Sequence, residues 1–354
     1  RAAKMVTLNA DHPEILEYID WKIKEEEKVK ALIKMGYSPD FNGEAYETVS
    51  GQNSNNSVRF PNKLMELVSG NKKDKSWELK GRKDDRVNKV INADELWERF
   101  NYAAWSCGDP APQWDDTANE WHTCPAGEDG ELWALWNRIN ASNPCSEYFF
   151  LDDTACNLAS INVIKFYNPT TGMFDTVGLR HLVNLLQIVL EATIHWGQFP
   201  TEHIARKSYM FRPTGLGIAN TASLHMMMGH AYDSDEARSV ASAIMGIVTG
   251  QSYVASSLMA KKIGAFPKYE INKPYMMEVI RNHARVAGAL NSNYERLTYK
   301  PIKVNHKVLA KENCKDLSEA LKESWKNAVE LGEENGFRNA QVTVIAPKHK
   351  WVLA

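Results

Sequence analysis

Residues 141–162 read Ala141-Ser142-Asn143-Pro144-Cys145-Ser146-Glu147-Tyr148-Phe149-Phe150-Leu151-Asp152-Asp153-Thr154-Ala155-Cys156-Asn157-Leu158-Ala159-Ser160-Ile161-Asn162. An amide, a thiol and a carboxyl fall within five positions, a second thiol follows, and β-type apolar residues surround both. If the segment between Cys145 and Cys156 turns back on itself, both sulfurs face one small pocket, which is the geometry of a redox or radical site. The plain alternative is a pair of buried structural thiols, since free cysteine behaves as a small hydrophobe. The spacing matches no zinc pattern.

Working outward, residues 161–166 read as a strand and 168–172 as a turn. A helix is expected over 177–198, burying Leu179, Leu182, Val183, Leu186, Val189 and Leu190. Gly215 and Gly217 invite a phosphate cradle at a helix N-terminus, but a third glycine and a preceding strand are missing, which favours tight helix packing. Helices over 232–263, 273–286 and 316–334 then lead to 341–345, whose alternating branched residues read as a central strand. Helices alternating with single strands argue α/β with largely parallel pairing.

Toward the N-terminus, a helix is expected over 13–35 with Asp11 as its cap and Pro13 in its first turn. The amide run Gln52-Asn53-Ser54-Asn55-Asn56-Ser57 reads as a loop before Val58. Residues 62–104 read as helix, charged turn over 71–85, short strand and helix, with Trp77 and Trp97 as core anchors. Cys107, His122 and Cys124 lack a fourth ligand and a tight Cys-x-x-Cys pair, so no metal site is expected. Residues 126–138 suggest a short amphipathic helix or hairpin with no assigned function.

Across 354 residues, 44% are hydrophobic and 24% charged, with a net charge of −2, so nothing global calls for nucleic acid or an anionic membrane. No uninterrupted apolar run reaches the roughly 18 residues of a membrane span. Five scattered cysteines in so long a chain favour reduced thiols in the cytoplasm, any disulfide being transient.

Three phrases carry a family resemblance: Asn143-Pro144-Cys145-Ser146-Glu147, the following Ala155-Cys156-Asn157-Leu158-Ala159-Ser160-Ile161-Asn162, and Arg338-Asn339-Ala340-Gln341-Val342-Thr343-Val344-Ile345-Ala346-Pro347. Together they resemble the catalytic chain of ribonucleotide reductases, and Pro144 and the phrase over 50–59 resemble the adenosylcobalamin-dependent class. The resemblance implies part of a ten-stranded α/β barrel over 1–347 with the radical cysteine on a finger loop, and a divergent tail over 348–354.

It further implies that Cys145 is the thiyl, Glu147 the base on the ribose 3′-hydroxyl, Asn143 a ligand of the ribose hydroxyls, and Cys156 one of two reducing thiols. Pro144, Ser146, Ala346 and Pro347 join the substrate-binding set, with Cys145 and Glu147 facing one cavity inside the barrel core. Adenosylcobalamin is the implied radical source. The implied partners are a ribonucleotide, di- or triphosphate, a thioredoxin-like reductant, an allosteric nucleotide whose site is mostly missing, and a second copy in the complete enzyme.

The chain starts at what resembles the end of the family's specificity loop, so the strand with the second reducing thiol is expected to lie upstream. Lys348-His349-Lys350 stands where a phosphate-binding turn is expected. Both ends read as those of a fragment, inactive alone. The competing readings are a non-catalytic nucleotide-binding or regulatory piece of such an enzyme, and a generic thiol–disulfide oxidoreductase, which lacks the Cys-x-x-Cys that lowers a thiol pKa.

Overall fold

The computed structural model describes residues 4–312 and 314–347. The specificity-loop end expected at 1–3 and the tail expected at 348–354 lie outside them. The chain packs as two compact units, Arg1–Asn119 with Ala141–Ser146, and Glu120–Asn140 with Glu147–Ala354.

The first unit runs β1 (Lys4–Asn9), α1 (Ile15–Lys34), α2 (Glu44–Glu47), β2 (Ser54–Phe60), α3 (Asn62–Ser69), β3 (Ser76–Lys80), β4 (Val87–Asn92), α4 (Ala93–Cys107) and β5 (Ala111–Trp114), where α5 (Asp115–Glu120) begins. β1, β2 and β5 form a parallel sheet in that order, with Leu8 opposite Val58 and Arg59 opposite Gln113. Helices α1 and α2 make the first crossover and α3 and α4 contribute to the second, as parallel pairing demands. Ile15, Ile19, Leu64, Leu96 and Phe100 are buried with Val58 and Phe60 in one core. Phe60 stands edge-on to Phe100, with ring centroids 4.8 Å apart.

Three expectations for this unit need correction. Asp11 does not cap α1: the cap position is Glu14 with no side-chain bond, and Asp11 instead pairs with Arg82 at 2.5 Å. The charged stretch over 71–85 hides a strand, because β3 buries only Trp77 and Leu79 and pairs antiparallel with β4. The amide run is no solvated turn from Ser54 onward. It is the first half of β2, with Ser54, Asn56 and Ser57 all buried. Lys22 Nζ donates to the carbonyls of Gly51 and Ser54 at 2.6 and 2.8 Å, which fixes the strand's start against α1. Gly51 has φ +74°, and the Trp21 ring lies where a Cβ would be, so only glycine fits there.

The second unit contains β6 (Asn157–Asn162), a small antiparallel pair β7 (Tyr167–Asn168) and β8 (Met173–Phe174), α6 (Thr176–Trp196), α7 (Glu202–Phe211), β9 (Thr214–Ala219), α8 (Thr221–Met228), α9 (Asp235–Ile263), α10 (Tyr269–Val286), α11 (His306–Lys311) and α12 (Lys315–Asn335). β6 and β9 pair in parallel from Asn157 opposite Thr214 to Asn162 opposite Ala219. Residues 341–344 run parallel along β9: Thr214 and Leu216 donate backbone N–H bonds to Gln341 and Val342, and Val344 donates to Leu216. The Gly215-Leu216-Gly217 run is therefore the fully buried middle strand, not a helix terminus.

Asp175 caps α6 by accepting from the Gly178 N–H, and the helix buries Leu179, Val183, Leu190 and Ile194. Val189, expected on that face, is exposed. Helix α9 is Ala/Ser-rich because it is packed along most of its length, with Val240, Ile244, Ile247 and Val248 in the same core as Leu321 and Trp325 of α12. α6 and α9 have the length and apolar composition of a membrane span. α9 is a core helix here, whereas α6 packs one face into the same core, burying Gln187 and Glu191 there, and leaves Val177, Leu185 and Ile188 exposed. The polar connection expected over 287–315 contains α11, capped by Asn305. The α/β class and parallel pairing hold in both units, although no sheet among the described residues closes into a barrel.

Candidate active site

In the first unit, residues 143–146 form a turn: the Ser146 N–H donates to the Asn143 carbonyl at 3.0 Å, with Pro144 and Cys145 between them. Proline's fixed φ suits the second position of such a turn. Cys145 stands at the tip and is exposed. The expected placing of Cys145 and Glu147 on one cavity inside a barrel core has no counterpart among the described residues, where no sheet closes into a barrel. Ser146 has φ +61°, a left-handed backbone that costs a non-glycine residue about 1–3 kcal/mol and persists only where neighbours enforce it.

The neighbours are on the sheet. Asn55 Nδ2 donates to the Pro144 carbonyl at 2.7 Å. Gln113 Nε2 donates to the Ser142 hydroxyl at 2.7 Å and the Ser146 hydroxyl at 3.3 Å. Sequence reasoning missed both amides. The signal for Asn55 was the amide run itself, whose alternate residues face opposite sides once it is a strand, while nothing in the sequence marked Gln113.

In the second unit, residues 147–156 turn back at Asp152 and Asp153. The buried Tyr148 hydroxyl bonds the Thr154 hydroxyl at 2.8 Å, and Thr154 donates to the Leu151 carbonyl at 2.6 Å, closing the turn. The Ala155 N–H donates to Ser208 of α7 at 2.9 Å and sets the entry to β6. Glu147 is half-buried with one carboxylate oxygen buried.

Cys156 is half-buried immediately before β6. Burial first, and then the Glu147 charge, push its thiol up to about 12, so it stays protonated at neutral pH. A Cβ on Gly215 would stand 2.5 Å from the Cys156 sulfur and 2.5 Å from Leu158 Cδ2. The absent side chain at 215 is what leaves room for that sulfur against β9.

The other thiols have different surroundings. Cys124 is fully buried and burial raises its pKa strongly. Both nitrogens of His122 meet backbone partners, Asn137 O at 3.1 Å and Cys124 N at 3.4 Å, and burial lowers its pKa to about 3. That is a neutral structural histidine. Residues 126–138 form no amphipathic α-helix or hairpin, only a single 3-10 turn over Leu135–Asn137. They wrap around Asp129, which accepts from Trp136 and Asn137 side chains at 2.7 Å, and are pinned to α7 by the Glu128–Arg206 pair at 2.8 Å.

Ala346 is buried on the wall of a cavity of about 1370 Å³ that opens at the C-terminal ends of β9 and the 341–344 strand. Its walls also hold Asn220, Thr221, Arg238 and Lys303, but not Glu147 or Cys156. Pockets at the carboxyl ends of parallel strands are the usual ligand sites of α/β sheets. Pro347 is exposed.

Comparison with known proteins gives a consistent result. The family model described as the ribonucleotide reductase barrel domain matches residues 1–350. The vitamin B12-dependent ribonucleotide reductase of Bradyrhizobium diazoefficiens is 40% identical over 98% of this chain and 32% of its own length. That of Agrobacterium fabrum is 39% identical over 98% and 31%. The vitamin B12-dependent ribonucleoside-diphosphate reductase of Thermoplasma acidophilum is 27% identical over 76% and 30%. The chain thus spans about a third of the length of the curated relatives it matches. With the motif turn, the parallel strands and a match across nearly every residue in agreement, the chain belongs to the ribonucleotide reductase barrel-domain family.

Proposed function

We propose that this chain is part of an adenosylcobalamin-dependent reductase that converts ribonucleotides to 2′-deoxyribonucleotides for DNA synthesis, with Cys145 as its thiyl. The observation that carries the reading is the Asn143–Ser146 turn, which holds a single thiol at its exposed tip, two residues before a carboxylate.

The difficulty in the reaction is that hydroxide leaves poorly from an unactivated carbon. A Cys145 sulfur radical takes the hydrogen from C3′, leaving Cys145 as a thiol and the unpaired electron on the sugar. Glu147 accepts the 3′-hydroxyl proton, which lets the 2′-oxygen depart once a second proton reaches it. Cys156 and a partner thiol outside this chain supply the two electrons and two hydrogens. They end as a disulfide, the 2′-oxygen leaves as water, Glu147 returns its proton to the 3′-oxygen, and Cys145 returns its hydrogen to C3′. The protonated state of Cys156 suits a hydrogen donor. Asn143 orients the ribose hydroxyls, and the Ala346 wall is the proposed place of the substrate's phosphates.

Adenosylcobalamin, when bound, supplies the one-electron oxidation of Cys145. The exposed sulfur is accessible to a bulky group, but no cluster among the described residues marks a corrin-holding face, so no step above runs through it. A thiyl must also be shielded from water. This reading therefore requires cover for Cys145 from parts of the protein that the relatives have beyond the third matched here. Family membership supports a thioredoxin-like reductant, an allosteric nucleotide, a homodimer and a cytoplasmic setting.

The test is deoxyribonucleotide formation from ribonucleoside di- and triphosphates with adenosylcobalamin and a dithiol, first with residues 1–354 and then with the full-length reductase. Turnover only in the longer protein is expected. Nucleotide binding without turnover in either would favour the regulatory reading, to which the exposed Cys145 also lends weight.

A further inference from the structure

We propose that Asn55 and Gln113 are positioning residues for the Cys145 thiol, acting as a clamp that holds the 142–146 turn on the first unit's sheet. This rests on Cys145 being the reactive thiol.

The register of the sheet places Arg59 opposite Gln113, so these two side chains share a face, and strand alternation puts Ser57 and Asn55 on that face as well. Three bonds leave that face for the Cys145 segment: one to the Pro144 carbonyl and one to each of the Ser142 and Ser146 hydroxyls. Their acceptors bracket Cys145 on both sides within five residues.

The clamp is itself fixed. Gln113 Oε1 accepts from Arg59 Nη1 at 3.4 Å, which directs both protons of its amide nitrogen toward the serines. Arg59 is in turn paired with Asp115, and Arg59 and Gln113 are each only 1% exposed. Asn55 is set by the start of β2, which Lys22 anchors. The turn needs such enforcement because Ser146 is left-handed without being glycine. Its hydroxyl lies 3.1 Å from that of Ser142, so one glutamine holds both ends of the turn.

Two readouts test the proposal. The first is amide hydrogen exchange at Ser146, resolved by overlapping peptides, in residues 1–354. Asn55→Ala and Gln113→Ala should each speed it at least tenfold, while amides of β1 and β2 stay within twofold of the parent. Adding Ser146→Gly to Gln113→Ala should bring the exchange rate back to within threefold, because glycine adopts the left-handed backbone unaided. The second is turnover of the full-length reductase, in which both alanine variants should lower kcat at least tenfold with KM within threefold.

Unchanged exchange at Ser146, acceleration spread through the whole unit, no recovery with glycine, or a rise in KM with kcat intact would each overturn the positioning role. Exchange is read without catalysis, so it separates this proposal from the one it rests on. If Cys145→Ser keeps its turnover while the exchange results hold, the clamp holds a turn but not a catalytic thiol, and the positioning role falls for that reason.

Discussion

Cys145 and Cys156 lie eleven residues apart in the chain, yet their surroundings differ. Cys145 is exposed at a turn tip, whereas burial and the Glu147 charge keep the Cys156 proton in place up to about pH 12. Peptide-resolved alkylation at pH 8 should therefore label Cys145 first and Cys156 at least tenfold more slowly, since the thiolate is the nucleophile. Equal rates would contradict the assigned environments. Cys314, pushed up to about 11 by burial and then by Glu312 and Asp316, should join the slow group. A raised folded pKa also means that these thiols stabilise the fold fully below the ordinary thiol range. That contribution is lost as pH rises from about 9 toward 11 or 12.

The family was legible from the sequence because the phrases that carry the resemblance lie in order along the chain. Asn55 and Gln113 were not, because their role depends on a parallel register that brings residues 29 and more positions away onto the turn. The buried face of α6 was mostly legible from helical spacing. Val189 failed because an apolar stripe is wider than the face that packs.

At the level of elements, two of the second unit's three parallel segments are tied by a buried ionic network. Glu191 of α6 accepts from Arg212 at 2.5 Å, from Arg338 at 2.7 Å and from the Asn339 amide at 2.6 Å, and Asn339 donates to the Arg212 carbonyl at 2.9 Å. One carboxylate thus holds the entry to β9 and the entry to the 341–344 strand. Glu191→Ala leaves a buried guanidinium without its counter-charge and should cost about 3–5 kcal/mol in denaturant unfolding. A loss below 1 kcal/mol would show that the network is dispensable. Gly215→Ala presses a methyl against Cys156 and Leu158, and should destabilise by about 1–3 kcal/mol. It should also change the alkylation rate of Cys156 more than that of Cys124. β3 and α11 escaped the sequence reading because each buries very few apolar residues, two in β3 and only Leu309 in α11.

On the scale of the whole molecule, two cores lie on one chain that passes from one unit to the other at residues 119, 140 and 146. Leu96 is fully buried in the first core, and Leu96→Ala should cost about 2–5 kcal/mol. Hydrogen exchange should then accelerate in β1, β2 and the 142–146 turn, while α9 and α12 keep their protection. Uniform acceleration would mean that the units unfold as one. The α/β class was readable from the alternation of helices and strands. The division into units was not, because the Cys145 segment packs with residues far from it in sequence. The central claim is that Cys145 carries the radical, and the most direct measurement is steady-state deoxyribonucleotide formation by the full-length reductase with Cys145→Ser. The account predicts turnover at least a thousandfold below the parent, because the serine O–H bond is too strong for the radical source to break usefully. Turnover within tenfold of the parent would contradict it.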